Sequence, residues 1–285
     1  MHFDLHSHST ASDGTLSPTA LVERAAAQGV DALALTDHDS TAGLAEARET
    51  AARCGIRLIN GVEVSVTWAK RTIHVCGLNV DPDNAELQAG LASIRAERDR
   101  RATRMGEKLE KLGLENAEQR ARAMATGGLV ARTHYGRLLV EAGWSDELGK
   151  AIRKYLISGK PAFVAGTWAS LEDVVAWIRA AGGNAVIAHP ARYGLTNTKL
   201  HALVNQFIAA GGEGIEVISG SHSSEDAANM AEVARRHGLL ASRGSDYHGP
   251  ENPWVELGRL PPLPDDLTPI WSRWSQTLNA PVSPI

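Results

Sequence analysis

Cysteine is nearly absent from this chain of 285 residues: there are two, Cys54 and Cys76. That excludes a disulfide scaffold and a thiolate zinc site and fits a reducing compartment. Long apolar runs are missing too, so no stretch of the sequence is expected to span a bilayer. The first residues carry no basic region followed by an apolar one, which predicts no secretory signal and a cytoplasmic location. Positive charge is not in excess: 29 Lys and Arg against 33 Asp and Glu leave a net charge of −4. No global field recruits duplex DNA or a membrane, so an anionic ligand must be caught by a local cluster or by metal. Nothing calls for an obligate protein partner. Also missing are a Gly-x-Ser-x-Gly elbow, a P-loop and a dinucleotide fingerprint; Gly127-Gly128 and Gly182-Gly183 lack their spacing. With 43% hydrophobic and 22% charged residues, the composition is that of a globular protein. The length suits one α/β barrel, or one domain plus an insertion.

What is present starts at the N-terminus. Asp4-Leu5-His6-Ser7-His8 reads as a strand entered from Phe3. Strand side chains alternate faces, so Asp4, His6 and His8 point the same way. Two imidazoles side by side near a strand end form half a metal site. A pair of satisfied core histidines is the plain alternative for one His-x-His. The rest of the chain tips the balance, because strand after strand ends in another ligand-type residue.

Ser17-Pro18 starts a helix and Gly29 ends it. The apolar run from Asp31 to Thr36 is a buried parallel strand, running into Thr36-Asp37-His38-Asp39. A helix from about Ala42 to Arg53 follows. A third strand from Ile56 to Glu63 and a fourth from Thr72 to Val80, carrying His74, come next. This rhythm implies βα units with the site at the C-terminal strand ends. It breaks after Asp83. Leu87, Leu91, Ile94, Met105, Leu109 and Leu112 form one helical stripe. The charged opposite face, with Arg95, Arg98, Arg100, Arg101 and Arg104, reads as solvated, or as arginines of which a few turn to the site and bind phosphate. Short helices are expected near 117–125, 134–142 and 145–158. The rhythm resumes at Ser170, with strands ending at His189-Pro190, at Ser219-Gly220-Ser221-His222 and at Gly244-Ser245-Asp246-Tyr247-His248. The Pro- and Trp-rich tail, with Trp254, Trp271 and Trp274, is expected to pack across the barrel and cap it. The expected organisation is a first barrel part over 1–99, a helical lid over 100–160 and a second barrel part over 161–285.

Of the 11 histidines, His6, His8, His38, His189 and His248 lie at or just past strand ends. His74 is inside a strand and His134 in the insertion. His201 and His237 fall on helix surfaces and are expected to be exposed. His222 follows a strand, where it either touches substrate or merely closes a loop. With Asp13, Glu63 and Asp246 these are nitrogen and oxygen donors without sulfur, which suits Mn²⁺, Zn²⁺ or Fe²⁺. One ion takes three or four protein ligands; this supply is about right for two or three. Metal-activated water is the expected nucleophile.

As an ordered set, His6-Ser7-His8, Thr36-Asp37-His38-Asp39, Gly61-Val62-Glu63, His74, His134, Ala188-His189-Pro190 and Gly244-Ser245-Asp246-Tyr247-His248 resemble the PHP (polymerase and histidinol phosphatase) family of metal-dependent phosphoesterases. The position and length of the insertion resemble the branch that removes the 3′-phosphate of nucleoside 3′,5′-bisphosphates, close relatives of which trim RNA 5′ ends. The resemblance implies a distorted (β/α)7 barrel with a small helical insertion and a trinuclear site. One metal would take His6, His8, Glu63 and Asp246; a second Glu63, His74 and His134; a third Asp13, His38 and His248. Asp13 stands where many members carry histidine, which favours Mn²⁺ over Zn²⁺. His189 is left for a supporting or phosphate contact, or for the acid that stabilises the departing 3′-oxygen. Asp4 and Asp37 are expected to orient ligand imidazoles.

The substrate implied is adenosine 3′,5′-bisphosphate (pAp), giving 5′-AMP and phosphate. Arg132, Arg192 and Arg243 are expected to bind its second phosphate, each otherwise a structural ion pair. Tyr193, Tyr135 or Trp144 are candidates for stacking on the base. The rivals are 5′-3′ exonuclease action on short RNA, a histidinol phosphatase, a C–N hydrolase on the same kind of barrel, and a structural metal-binding module without activity.

Overall fold

A computed structural model gives the fold and describes residues 1–274 and 278; the remainder of the expected tail lies outside the described residues. Seven strands follow one another round a single sheet in chain order: β1 (Phe3–Asp4), β2 (Ala32–Leu35), β3 (Arg57–Trp68), β4 (Arg71–Leu78), β5 (Asn184–Ile187), β6 (Gly214–Ser219) and β7 (Leu240–Gly244). The ends meet. Leu5 N–H donates to Arg243 O (3.0 Å), Asp246 N–H to His6 O (2.9 Å) and His8 N–H to Tyr247 O (2.9 Å), so the sheet is nearly closed into the expected distorted barrel. The seam depends on one residue without a side chain: a Cβ on Gly244 would lie 2.3 Å from the Cβ of His6.

The parallel rhythm fails at one place. β3 does not stop at Glu63 but runs on to Trp68, and Ala69 and Lys70, with φ of 45° and 62°, turn it straight back into β4. Two left-handed residues form a tight hairpin turn, and so short a link cannot make a parallel crossover. β4 is therefore antiparallel to both β3 and β5. The reversal brings the early residues of β4, His74 among them, to the end of the barrel where the other strands finish.

The helices begin and end where their caps dictate. α1 (Pro18–Ala27) has Ser17 accepting the Ala20 N–H, and α2 (Leu44–Cys54) closes on Gly55 at φ 71°. The break in the rhythm is α3 (Ala85–Lys111), a helix of 27 residues. Its stripe is buried at Leu87, Leu91, Ile94, Met105 and Leu109; Leu112, expected to continue it, is the C-cap residue and 44% exposed. Beyond it come α4 (Ala117–Met124), α5 (Arg132–Glu141), α6 (Leu148–Ala151) and a π-turn over Ile152–Leu156. These enclose an apolar cluster of their own with the second half of α3, from Ala102 to Val164. Tyr135 donates from its buried hydroxyl to Ala102 O (2.7 Å) and Trp144 packs on Tyr155 (5.5 Å between centroids). Neither ring is presented to a base, contrary to expectation.

α7 (Leu171–Ala180), α8 (Asn197–Ala209) and α9 (Ser224–His237) complete the outer layer. His201 and His237 are not free on its surface: they are half-buried and share a 2.8 Å hydrogen bond. Trp271 stacks on Phe3 at 4.2 Å, and the Trp274 indole N–H donates to Asn184 (2.8 Å). This part of the tail plugs the barrel at the strand beginnings, opposite the mouth. Trp254 takes no part and is 91% exposed. Among the described residues no helix is long and apolar enough to cross a membrane.

Candidate metal centre

Glu63, wholly buried on β3, is the hub of the barrel mouth. Its Oε1 lies 2.8 Å from His74 Nδ1 and 2.9 Å from His189 Nε2. Its Oε2 lies 2.9 Å from His38 Nδ1, 3.3 Å from His8 Nε2 and 3.4 Å from His6 Nε2. Asp246 Oδ1 faces the same pair, 3.4 Å from His6 Nε2 and 3.3 Å from His8 Nε2. Asp13 Oδ1 stands 3.3 Å from His248 Nε2 and 3.9 Å from His38 Nε2. Among the described residues four groups of donors are compact enough to hold an ion: His6, His8, Glu63 and Asp246; His38, Glu63 and His74; His8, Asp13, His38 and His248; and His6, Cys76 and Glu216. The strand ends are bent to deliver them. Asp39, His189 and Asp246 have φ of 48°, 29° and 56°, conformations that cost free energy and cluster at functional sites.

The donor set fits divalent cations. Asp13 Oδ1, His38 Nδ1, Glu63 Oε2 and His189 Nδ1 are buried without a hydrogen-bond partner, which is costly unless something else binds them. The Nε2 atoms of His6 and His8 face each other at 3.1 Å. Burial alone would raise the Glu63 carboxyl; the imidazoles of His74, His38 and His6 outweigh it and hold Glu63 well below the usual carboxylate range. Asp246 is held down against burial by His6 and His248, and Asp13 by His248 and His38. Three buried carboxylates ionised at one spot are a seat for cations.

Glu216, on β6, was not singled out in the sequence. It is buried, accepts from His6 Nδ1–H (2.6 Å) with one oxygen and from the His189 N–H (2.6 Å) with the other. A carboxylate on Nδ1 fixes the tautomer that turns the Nε2 lone pair to the cluster. The signal was legible: an acid inside the otherwise apolar run Gly214-Ile215-Glu216-Val217-Ile218 needs a buried partner.

Several expected contacts are not made. His134 is absent from every one of these donor groups. It sits in the first turn of α5, and its Nδ1 accepts the Ala131 N–H (2.9 Å), doing the capping that an alanine N-cap cannot. His189 lies outside those groups too, but its Nε2 stands 2.9 Å from the same Glu63 oxygen that faces His74. Arg243 points away from the mouth and donates to Leu260 O (2.9 Å). The Tyr193 hydroxyl accepts the His74 N–H and donates to Ala188 O, each 2.8 Å, so it pins β4 beside the cluster rather than stacking on a base. His222 closes its own loop through Val217 O (3.2 Å). Asp4 accepts backbone N–H groups of Ser245 (2.8 Å) and Gly258 (2.9 Å), and Asp37 accepts from Ser9 and Ser12. These two carboxylates hold loops and touch no imidazole directly.

Above the cluster opens a cavity of about 210 Å³. Arg98, Arg101, Arg132 and Arg192 line it with Trp168. Arg192 is tied to Asp246 (2.5 Å) and Arg98 to Asp39 and Ser65. Arg101 and Arg132 have no carboxylate within ion-pair distance among the described residues. Burial, then Arg132 and Arg98, push Arg101 down to about 9, and burial followed by Arg98 and Arg192 lowers Arg132. Trp168 lies under the guanidiniums of Arg98 (5.1 Å) and Arg101 (5.8 Å) and helps hold them. Two guanidiniums kept close against their mutual repulsion form a seat for an anion.

Substitution of each of these two histidines separates their roles. His189→Asn is expected to lose the ion that Glu63 and His74 would share, read as reduced metal content. His134→Ala is expected to keep the metal and cost about 1 kcal/mol of stability through the lost cap. Unchanged metal in the first variant and depleted metal in the second would restore the sequence assignment.

A barrel mouth that gathers imidazoles and carboxylates beneath a guanidinium-lined cavity defines a metal-dependent hydrolase. The chain belongs to the PHP domain family, whose family model matches residues 4–183. It is 50% identical over 281 residues to the 3′,5′-nucleoside bisphosphate phosphatase of Chromobacterium violaceum, covering 98% of this chain and 99% of that one. To a 5′-3′ exoribonuclease of Haemophilus influenzae it is 46% identical over 272 residues, 95% of this chain and 98% of that one. Among solved structures, a protein from Chromobacterium violaceum described as an amidohydrolase with bound sulfate superposes with a TM-score of 0.93 at 48% identity, over 97% of each chain. Another from Bifidobacterium adolescentis, described as a metal-dependent phosphoesterase, superposes with a TM-score of 0.81 at 30% identity, over 97% of this chain and 93% of that one.

Proposed function

We propose that the protein hydrolyses the 3′-phosphate of nucleoside 3′,5′-bisphosphates, converting pAp to 5′-AMP and phosphate. The observation that carries this is the pairing, in one cavity, of the Glu63 cluster with the guanidiniums of Arg101 and Arg132, which have no carboxylate partner among the described residues. A substrate with two phosphates has a use for both. The residues to hold metal are His6, His8, Glu63 and Asp246 for one ion; Glu63, His74 and His189 for a second; Asp13, His38 and His248 for a third. When bound, such ions supply Lewis-acid polarisation of the phosphoryl oxygens and a nucleophilic water at neutral pH. We infer Mn²⁺ rather than Zn²⁺ or Fe²⁺, because the Asp13 carboxylate makes the third set harder.

The protein's own groups orient the reaction. Arg192, fixed by Asp246, reaches the cavity over the cluster and is placed to neutralise the phosphoryl group under attack. Arg101 and Arg132 take the 5′-phosphate, which sets the substrate's direction and spends remote binding energy on alignment. His189 is placed here with the metal-holding residues rather than as the acid for the departing 3′-oxygen, because its Nε2 lies 2.9 Å from Glu63 Oε1. We assign residues 100–160 the part of a substrate-covering lid, since they bring Arg101, Arg132 and Thr133 to the cavity. The setting we infer is the cytoplasm, with two free cysteines, and the partner a small nucleotide or short RNA.

The test is phosphate release from pAp with added Mn²⁺, with the product identified. Release leaving 5′-AMP is the expected result; 3′-AMP would reverse the orientation set by Arg101 and Arg132. Metal binding without release would turn attention to histidinol phosphate, and metal binding with no phosphoester hydrolysed at all would leave a structural module. Four guanidiniums above the cluster count against C–N hydrolysis. The second reading, trimming of RNA 5′ ends, is favoured by a further cavity beyond Arg98.

A further inference from the structure

The cavity over the metal ligands has a neighbour at Arg98. On the other side of this guanidinium lies a second cavity of about 170 Å³, lined by Ser40, Arg95, Arg98, Asp99 and the segment Gly127–Val130. Two walls run through both cavities. One is α3, which contributes Arg95, Arg98 and Asp99 to the second and Arg98 and Arg101 to the first. The other is the strip that enters α5, with residues 127–130 in the second and Ala131, Arg132 and Thr133 in the first. The two cavities thus adjoin at Arg98 and share both walls.

Together they are built for a charged chain. Arg95, Arg98 and Arg101 are spaced three apart, which puts them along one side of the helix, rising about 4.5 Å at each step. Each is held by the protein through part of its fork: Arg95 by Asp39 O (3.0 Å), Arg98 by Asp39 and Ser65, and Arg101 by Val164 O (2.9 Å). A guanidinium fixed in this way keeps further N–H groups for a phosphate. The opposite wall is tightly placed. A Cβ on Gly127 would lie 2.3 Å from Thr10 O, and Thr133 donates to Asp13 Oδ2 (2.7 Å). Gly127 and Gly128 offer bare, exposed backbone to whatever passes.

We propose that this second cavity is the subsite for the next nucleotide of single-stranded RNA, and that the three arginines are the track for its backbone. The proposal rests on the phosphoesterase reading and extends it. In pAp the 3′-phosphate is a monoester; in RNA the same phosphate carries the following nucleotide. Water oxygen joins phosphorus, the P–O3′ bond breaks, and the 3′-oxygen leaves with a proton. The first nucleotide departs as a 5′-monophosphate, and the shortened strand keeps the phosphate on its new 5′ end. The chemistry is unchanged, and only a place for the esterified nucleotide is added. A positively charged groove of this kind tracks the backbone of a single strand without reading sequence.

The test compares pAp with a 5′-phosphorylated tetra-adenylate in wild type, Arg95→Glu and Asp99→Lys. Arg95 and Asp99 line only the second cavity, and Asp99 is 62% exposed. Arg95→Glu is expected to lower kcat/KM for the tetranucleotide at least about tenfold, leaving pAp within about twofold. Asp99→Lys is expected to raise it severalfold. The tetranucleotide's dependence of affinity on salt, measured in chelator without turnover, should become shallower by about 0.7 in log–log slope for Arg95→Glu. Tetranucleotide and pAp changing in parallel, or a ratio unmoved in both variants, overturns the track. So does a wild type that cleaves pAp alone. A wild type that cleaves neither overturns the phosphoesterase reading itself.

Discussion

Glu63→Gln is expected to lower kcat on the order of a thousandfold and to abolish most of the thermal stabilisation that metal gives the wild type. Glu63 presents one oxygen to His74 and His189 and the other to His38, His8 and His6. Among the described residues no other carboxylate belongs to two of the donor groups. An amide of the same shape keeps the packing, loses the charge, and presents N–H groups to nitrogens that must offer lone pairs. An ion that binds only the folded state raises its stability in proportion to RT ln(1 + [L]/Kd). Thermal melting with and without Mn²⁺ therefore reads the cluster without reference to turnover. A variant with wild-type kcat and an undiminished metal shift would remove Glu63 from the centre of the site.

The second large effect is expected at Glu216, which touches no substrate and acts through two histidines. Both of its partners are donors: His6 Nδ1–H on one oxygen and the His189 N–H on the other. Glutamine cannot accept both with equal geometry. If its amide N–H meets His6, the imidazole proton moves to Nε2 and the ligand lone pair is lost. If it meets His189, two donors collide. Glu216→Gln is therefore expected to weaken metal binding about 10–100-fold, with activity recovered in part at high Mn²⁺. Glu216→Ala leaves both donors buried and unpaired and is expected to cost about 3 kcal/mol in denaturant titrations as well. Normal metal affinity in the glutamine variant would show that His6 and His189 are oriented without it.

Much of this was readable before folding was considered. Period-2 alternation placed His6 and His8 together, and the βα rhythm placed His38, Asp246 and His248 at one end of a barrel. What escaped did so for identifiable reasons. The β3–β4 hairpin turns on Ala69-Lys70, which carries none of the Gly, Asn or Asp chemistry that marks left-handed turns. His134 misled because α5 starts without a side-chain cap, and a histidine two residues into the helix supplies one. Arg243 lies at a strand end, but its guanidinium is taken up by Leu260 O from the segment after the barrel, a contact that strand alternation does not foretell. Arg98 and Arg101 looked like a solvated helix surface because sequence periodicity does not say what another part of the chain lays against a charged face.

The reversed fourth strand sets the length of α3. Because β4 runs backwards, the chain leaves the barrel at its plugged end, where Leu78 pairs with Asn184. From there it must climb the full height of the barrel to reach the mouth. A helix of 27 residues is about 40 Å long, enough to pass the mouth and carry the insertion on its far end. The helix is thus a gauge rod: its residue count fixes the height of the arginine ladder, and its phase fixes where the ladder faces. One residue added below Arg95 would turn everything above it by about 100° and lift it about 1.5 Å. That would leave the barrel and the metal ligands in place and swing the guanidiniums out of the groove.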